Sequence, residues 1–428
     1  MSAAVQTLRA LVGRVRRSDV VRHGVLVLVA TTLGNLLSFL YHAAVSRILG
    51  VAAYGALYAL ISLAQLEGLP GGFLPSVIAR YAAEFAALDD EAHLRALSAW
   101  VARLFGAVAC AYLAVSALFA VPIARYLHVA AWTVPLTGAI AGIGMLSIAL
   151  RSVLQGAQDF TTYSAASIGE GAGKVGFGAL LARAGFGVGG GLVGFLAGSC
   201  VSAAIAAERL RRRYRGVERV PLRIDWRRVI ETTGAAAAAT IAGTIFSSAD
   251  VVLVRHYFSP RDAGLYAAVA LAGKIMLFVV GFAPTVLLPK ATERHARGES
   301  SRNALFAMLA MLAVIGAAGL AVFCFAGRLV LHALVGSAFD AALPLLPWYA
   351  LAMLLLAFSS AMASYGIALH RLSFAVPMLL AAFAEIVAIA VYHPSLAGVV
   401  TVVVAANGLA LAATVVGTGR AGRRAHVA

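Results

Sequence analysis

Glu170 and Lys174 stand four residues apart inside an apolar run, a spacing that puts both on one helical face. Glu67, Asp250 and Lys274 are buried in other runs of the same kind. An ionisable side chain at a membrane helix centre costs about 2.5 to 3.5 kcal/mol, so such residues mark pathways, coupling sites or neutralising pairs. Glu67 directly precedes Gly68-Leu69-Pro70-Gly71-Gly72, where proline and glycines predict a broken helix beside a charge. Asp250 and Arg255 bracket one end of another apolar run, where they read as an interfacial pair or a gate. Glu67, Glu170 and Asp250 are therefore the candidate coupling or gating acids. Enzymatic signatures are missing. Gly189 to Gly194 fits the dinucleotide fingerprint by letter but opens an apolar helix instead of following a strand, so it reads as helix packing. There is no Walker lysine, no paired-histidine metal motif and no nucleophile elbow. Cys110, Cys200 and Cys324 are far apart without ligand spacing. The expectation is a non-enzyme with no cofactor and no metal.

These residues need membrane helices to hold them. Of 428 residues, 62% are hydrophobic and 12% charged, against about 25% charged in soluble domains. A twenty-residue window predicts twelve spans: 25–45, 54–79, 101–121, 133–153, 164–182 and 188–207, then 232–254, 264–288, 304–325, 345–368, 372–392 and 396–417. The first run is long enough to span the bilayer, so it is not read as a cleaved signal. The stretch Gly72-Phe73-Leu74-Pro75-Ser76-Val77 returns as Gly281-Phe282-Ala283-Pro284-Thr285-Val286, an offset of 209 that also carries Gly55 onto Gly264 and Glu84 onto Glu293. Six spans per half is an even number, so the halves are parallel repeats about an axis along the membrane normal. The predicted organisation is a basic tail at 1–24, a six-helix lobe at 25–207, a basic linker at 208–231, a second lobe at 232–418 and a tail at 419–428. With both termini cytoplasmic, 26 of the 34 Lys and Arg residues fall inside and 6 outside. The net charge of +16 is thus a matter of topology and of the linker lying on anionic headgroups, not of nucleic-acid binding.

Ser46-Arg47-Ile48-Leu49-Gly50 followed by Tyr54-Gly55 resembles the signature of polysaccharide-export flippases, the lipid-linked oligosaccharide flippases of the multidrug/oligosaccharidyl-lipid/polysaccharide superfamily. Arg151-Ser152-Val153-Leu154-Gln155-Gly156 is similar to another of their elements, as is the run from Asp250 through Arg255 to Gly264-Leu265-Tyr266. The resemblance covers about Val25 to Thr418. It implies an all-α membrane protein of two lobes in a V around a central cavity that alternates its opening. It implies a polyprenyl-diphosphate oligosaccharide as substrate, moved from the inner to the outer leaflet of the cell membrane for surface polysaccharide biosynthesis. A diphosphate needs cations in the cavity, and the best placed are Arg47, Arg80, Arg151, Lys174, Arg255 and Lys274. Beyond this substrate and the membrane lipids, the family allows contact with a polysaccharide polymerase or glycosyltransferases, and a single chain can work alone. An ion-coupled multidrug exporter of the same architecture, with Glu67 or Glu170 as coupling acid, is the rival expectation. A membrane glycosyltransferase or polymerase is the third, weakened by short outer loops.

Overall fold

The computed structural model describes residues 19–222, 224, 226–280, 302–369 and 372–424. The second copy of the repeated motif at 281–286 lies outside them, as do Glu293 and most of the two tails. The described chain is helical. In order it forms α1 (Asp19–Glu67), a short 3-10 turn (Leu69–Gly71), α2 (Leu74–Ala87), α3 (Glu91–Leu118), α4 (Ala120–Leu127), α5 (Val134–Gly156), α6 (Phe160–Leu181) and α7 (Gly187–Arg213). The second half forms α8 (Trp226–Tyr257), α9 (Pro260–Val280), α10 (Arg302–Phe325), α11 (Gly327–Leu334), α12 (Leu346–Ala368), α13 (Ala375–Val391) and α14 (Leu396–Arg424).

Among the described residues eight stretches are long and apolar enough to cross a membrane, and two of these fold back on themselves. In α1 the reversal is at Gly50, whose φ of 74° suits a residue without Cβ. Its proof is a hydrogen bond: His42 Nδ1 and Tyr54 Oη are 3.2 Å apart, whereas twelve residues of straight helix would separate them by about 18 Å. The stretch Phe160–Arg213 turns at Gly185 and Gly187, and α6 packs along α7 through Gly178 and Gly194. The Gly189-to-Gly194 run is thus part of a close helix contact. Adding α9 and the shorter apolar α13 gives twelve crossings, six in each lobe.

The two lobes repeat each other down to their small parts. The eight-residue helices α4 and α11 sit at corresponding places, each after the third crossing of its lobe. Equivalent residues also meet. A Cβ on Gly55 would lie 2.6 Å from Gly264 N, and one on Gly264 would lie 2.0 Å from Val51 O, so the second arm of α1 and α9 touch backbone to backbone. Ten residues further along, Gln65 and Lys274, again 209 apart, share a hydrogen bond of 3.2 Å. Two self-meeting pairs about 15 Å apart require the equivalent helices to run in the same direction. The repeats are parallel, and their axis passes between α1 and α9. Around it, Tyr54, Phe246, Tyr266, Phe339 and Tyr349 form one buried core joining both halves. On the outside, Leu118, Leu180, Phe325 and Val391 are exposed to the position of lipid.

Candidate functional site

Between the lobes lies a cavity of about 420 Å³, walled by the second arm of α1 and by α5, α6, α7 and α8. Its charged wall is built on one helix. Glu170 and Lys174 are one turn apart on α6 and pair at 2.7 Å, and both line the cavity. Arg151, from the end of α5, reaches Glu170 at 3.0 Å and donates to Ser167 Oγ at 2.9 Å. Two cations thus share one carboxylate, leaving net positive charge on that wall. Arg151 Nε is buried with no acceptor. Lys174 is 7% exposed, and its ammonium sits 4.1 Å above the centre of the Phe195 ring, a cation–π contact that holds it without neutralising it.

Lys274 stands behind the cavity's Gln65. Its Nζ donates to Gln65 Oε1, which also accepts from Ser248 Oγ at 2.9 Å, and lies 5.2 Å from the Tyr58 ring centre. Gln65 lines the cavity. No ionisable-residue rule selects a glutamine, although the 209-residue offset pairs it with Lys274.

At the end of the molecule carrying α4 and α11, two more of the six predicted cations, Arg47 and Arg255, cross between lobes. Arg47 donates to Ala43 O in its own helix at 2.6 Å, and through Nη2 to His332 O at 2.6 Å and Ala333 O at 3.0 Å, the last carbonyls of α11. Arg255 donates from Nε to Leu127 O and from Nη2 to His128 O, both 2.9 Å, at the end of α4. Each lobe therefore caps the small helix of the other, where unpaired carbonyls and the helix dipole favour a cation. His256 adds an Nδ1 contact to Tyr126 O at 2.8 Å and stacks on the Tyr126 ring at 3.7 Å. This end is shut by paired latches. Arg80 is exposed on α2 and lines a separate space of about 190 Å³ with Glu84 and Thr233.

The two other acids lie inside the lobes. Glu67 Oε1 accepts from Thr137 at 3.0 Å and Ser116 at 3.5 Å, between α5 and α3, while its Oε2 is buried without a partner. Asp250 is fully buried, and its Oδ2 accepts from Tyr266 and Tyr349, each at 2.7 Å. Asp250 Oδ1 has no partner, nor have either oxygen of Glu385 or Oδ1 of Asn407, from three helices of the second lobe. Such orphans ask for a proton or a cation. Glu385 and Asn407 are additions to the sequence-derived set. The signal for Glu385 was present, an acid inside the eleventh predicted span. Among the described residues no group of three or more His, Cys, Asp or Glu side chains is arranged to hold a metal ion.

A two-lobed helical chain with twelve crossings among its described residues and a charged cavity between parallel repeats is a multi-pass membrane protein by class. The structure is similar to an inward-facing multidrug resistance MATE family transporter of the MOP superfamily, at TM-score 0.67 and 14% identity over 92% of this chain and 94% of that one. It is equally similar to the lipid II flippase MurJ in an inward closed conformation, at 0.67 and 14% over 91% and 87%. An outward-facing MATE family transporter gives 0.53 at 17% identity over 96% and 97%. Among curated protein sequences none matches. The profile of the family described as polysaccharide biosynthesis protein matches residues 44–344, and the chain belongs to that family.

Proposed function

We propose that this protein carries a polyprenyl-diphosphate-linked oligosaccharide across the cell membrane, from the cytoplasmic to the outer leaflet, by alternating access. The observation that carries the reading is the charge at the cavity: Lys174 and Glu170 line it, Arg151 reaches Glu170 from behind, and Gln65, which also lines it, is bound by Lys274, which has no carboxylate hydrogen-bonded to it. A diphosphate entering there meets guanidinium and ammonium donors that are already desolvated, so their pull is stronger than in water. The walls around them are small and apolar, as a lipid-borne headgroup requires. With both termini in the cytoplasm, the latched end is the outer one and the cavity faces inward. Export of two negative charges from a negative interior releases about 4.6 kcal/mol at about 100 mV, at 2.3 kcal/mol per charge. A drug exporter of cations would place like charge against its cargo, which disfavours that reading.

The test is leaflet accessibility of a polyprenyl-diphosphate oligosaccharide in proteoliposomes, read with an added lectin or glycosidase. Arg151→Ala combined with Lys274→Ala is expected to abolish movement while the protein still inserts. Undiminished movement in that variant overturns the headgroup path, and pumping of a cationic dye under an ion gradient favours the exporter.

A further inference from the structure

The first-lobe charges of the cavity are layered. Glu170 and Lys174 line it, whereas Arg151 does not, its guanidinium reaching Glu170 Oε2 from behind at 3.0 Å. The other carboxylate oxygen, Oε1, takes the Lys174 ammonium at 2.7 Å. Two oxygens of one anionic group thus meet two different cations, the arrangement that a phosphoryl group would make with two of its own oxygens. Each cation also has a neutral support. Arg151 donates to Ser167 Oγ at 2.9 Å and faces the Tyr163 ring at 6.0 Å, while Lys174 sits on Phe195 at 4.1 Å. Both can therefore keep their places when the carboxylate turns away. Glu170 is also the most open of the three, its side chain 19% exposed against 15% for Arg151 and 9% for Lys174.

An anion entering the cavity therefore meets a site already filled from within. To touch both cations it must displace Glu170, which loses two charge-assisted contacts in the exchange. A headgroup with a single negative charge replaces one monoanion by another, and nothing is left to offset its own desolvation. A headgroup with two or more charges is drawn to the pair of cations more strongly than the carboxylate it displaces. The membrane around the protein supplies the first kind in bulk as anionic phospholipid. A polyprenyl diphosphate is the second kind.

We propose that Glu170 is a displaceable counter-ion that sets the selectivity of the cavity: it holds the phosphate position while the cavity is empty, excludes singly charged phospholipid headgroups, and yields Arg151 and Lys174 to a diphosphate. The inference rests on the reading of a diphosphate cargo and adds to it the residue that tells this cargo from the surrounding lipid. Specificity of this kind comes from an interaction set against the wrong ligand as much as from contacts made with the right one. A cavity with Arg151 and Lys174 bare would bind both.

The test measures binding of radiolabelled farnesyl diphosphate, a short polyprenyl diphosphate, to the full chain in detergent, and its displacement by dioctanoyl phosphatidylglycerol. Wild type is expected to bind the diphosphate and to resist displacement. Glu170→Gln keeps the shape of the side chain and one oxygen acceptor. It should bind the diphosphate about tenfold more tightly, one charge-assisted hydrogen bond no longer being lost on entry, and should now be displaced by phosphatidylglycerol. Glu170→Asp keeps the charge on a shorter arm that reaches one cation less well, so its preference should fall between the two. A carboxylate that only braces Arg151 and Lys174 predicts the opposite sign, weaker diphosphate binding in Glu170→Gln with phosphatidylglycerol still excluded. That result, or an unchanged preference in both variants, overturns the counter-ion role and leaves the diphosphate cargo standing. Absence of diphosphate binding in wild type and variants alike overturns the cargo reading itself, and the filter with it.

Discussion

Arg255→Ala should open the latched end of the molecule, and its effect can be set against that of Arg47→Ala. Both guanidiniums cap the facing lobe's small helix, but their settings differ. Arg255 is 6% exposed and makes two hydrogen bonds of 2.9 Å, while Arg47 is exposed. Charge-assisted hydrogen bonds in a buried setting contribute about 1.5 to 3 kcal/mol each. Part of that is offset by Arg255 Nη1, which is buried without an acceptor and costs roughly 1 to 3 kcal/mol. The net favouring the latched state is then about 2 kcal/mol, or roughly thirtyfold in the equilibrium between the two openings. A latch-open population of about 1% would rise to about a quarter. For Arg47, screening by water leaves about 0.5 to 1 kcal/mol, a factor of two to five. Nitroxide pairs at Ala130 and Arg261, in a background lacking Cys110, Cys200 and Cys324, report the separation of the two lobes at this end by electron–electron resonance. Arg255→Ala should add a long-distance component that Arg47→Ala adds only weakly, with Arg255→Lys in between. An unchanged distribution in Arg255→Ala, or a larger effect at Arg47, refutes the latch and the weight given to burial.

Gly264→Ala should cost about 1 to 3 kcal/mol in thermal unfolding, because the new methyl meets the Val51 backbone and not a movable side chain; an unchanged midpoint would mean the two helices separate freely. Acid should loosen the turn between α5 and α6. Burial works against ionised Asp159, yet hydrogen bonds from Arg209 and Thr162 outweigh it and hold the carboxyl below its ordinary range. A depressed native value stabilises above the unfolded pKa of about 4 and is lost as pH falls through the native one. Asp159→Asn should therefore flatten the acid limb of an unfolding-midpoint profile, and an identical limb in both proteins refutes the assignment. If the orphan oxygens of Asp250 and Glu385 receive a coupling cation or proton, Glu385→Gln should make lipid-linked saccharide movement insensitive to sodium and pH gradients while sparing its response to membrane potential. Retained gradient dependence would exclude Glu385.

The crossings, the parallel repeat and the cavity's Glu170–Lys174 pair were legible because each depends on local pattern: span length, a fixed offset, a four-residue spacing. What was hidden depends on how the lobes meet. Arg47 looks like a free cation from its neighbours in the chain and Arg255 like the partner of Asp250, which binds two tyrosines instead; only the docked helix of the other lobe reveals the carbonyls the two arginines hold. Gln65 carries no charge to flag it, and gains its place through Lys274 from the other lobe. The 3-10 turn at Leu69–Gly71 sits where Pro70 and the glycines predicted a break, but Glu67 beside it turns into the first lobe toward Thr137. A helix break near a charge marks bent backbone reliably. Which way the charge points is decided by packing between helices, which span-level hydropathy does not encode.

Equal backbones with unequal side chains explain how two parallel halves can divide one task. Tyr41 and Asp250 occupy equivalent positions, 209 apart. Tyr41 donates to Gly191 O and is satisfied within the first lobe, whereas Asp250 accepts from two tyrosines and keeps one oxygen free. Gln65 and Lys274 are likewise equivalent and differ by a full charge. The first lobe contributes Arg151 and Lys174 beside the cavity and the second contributes Lys274, while the second also keeps unsatisfied acceptors that suit a cation or a proton away from it. Since α1 and α9 touch along the axis that relates the lobes, a change of protonation or ion occupancy around Asp250 reaches the cavity through one helix, α8, which carries Asp250 and, two residues before it, the Ser248 that binds Gln65. The shortest physical link between the orphan acceptors of the second lobe and the cavity is thus the Ser248–Gln65–Lys274 chain, and coupling would require only that this chain have two arrangements.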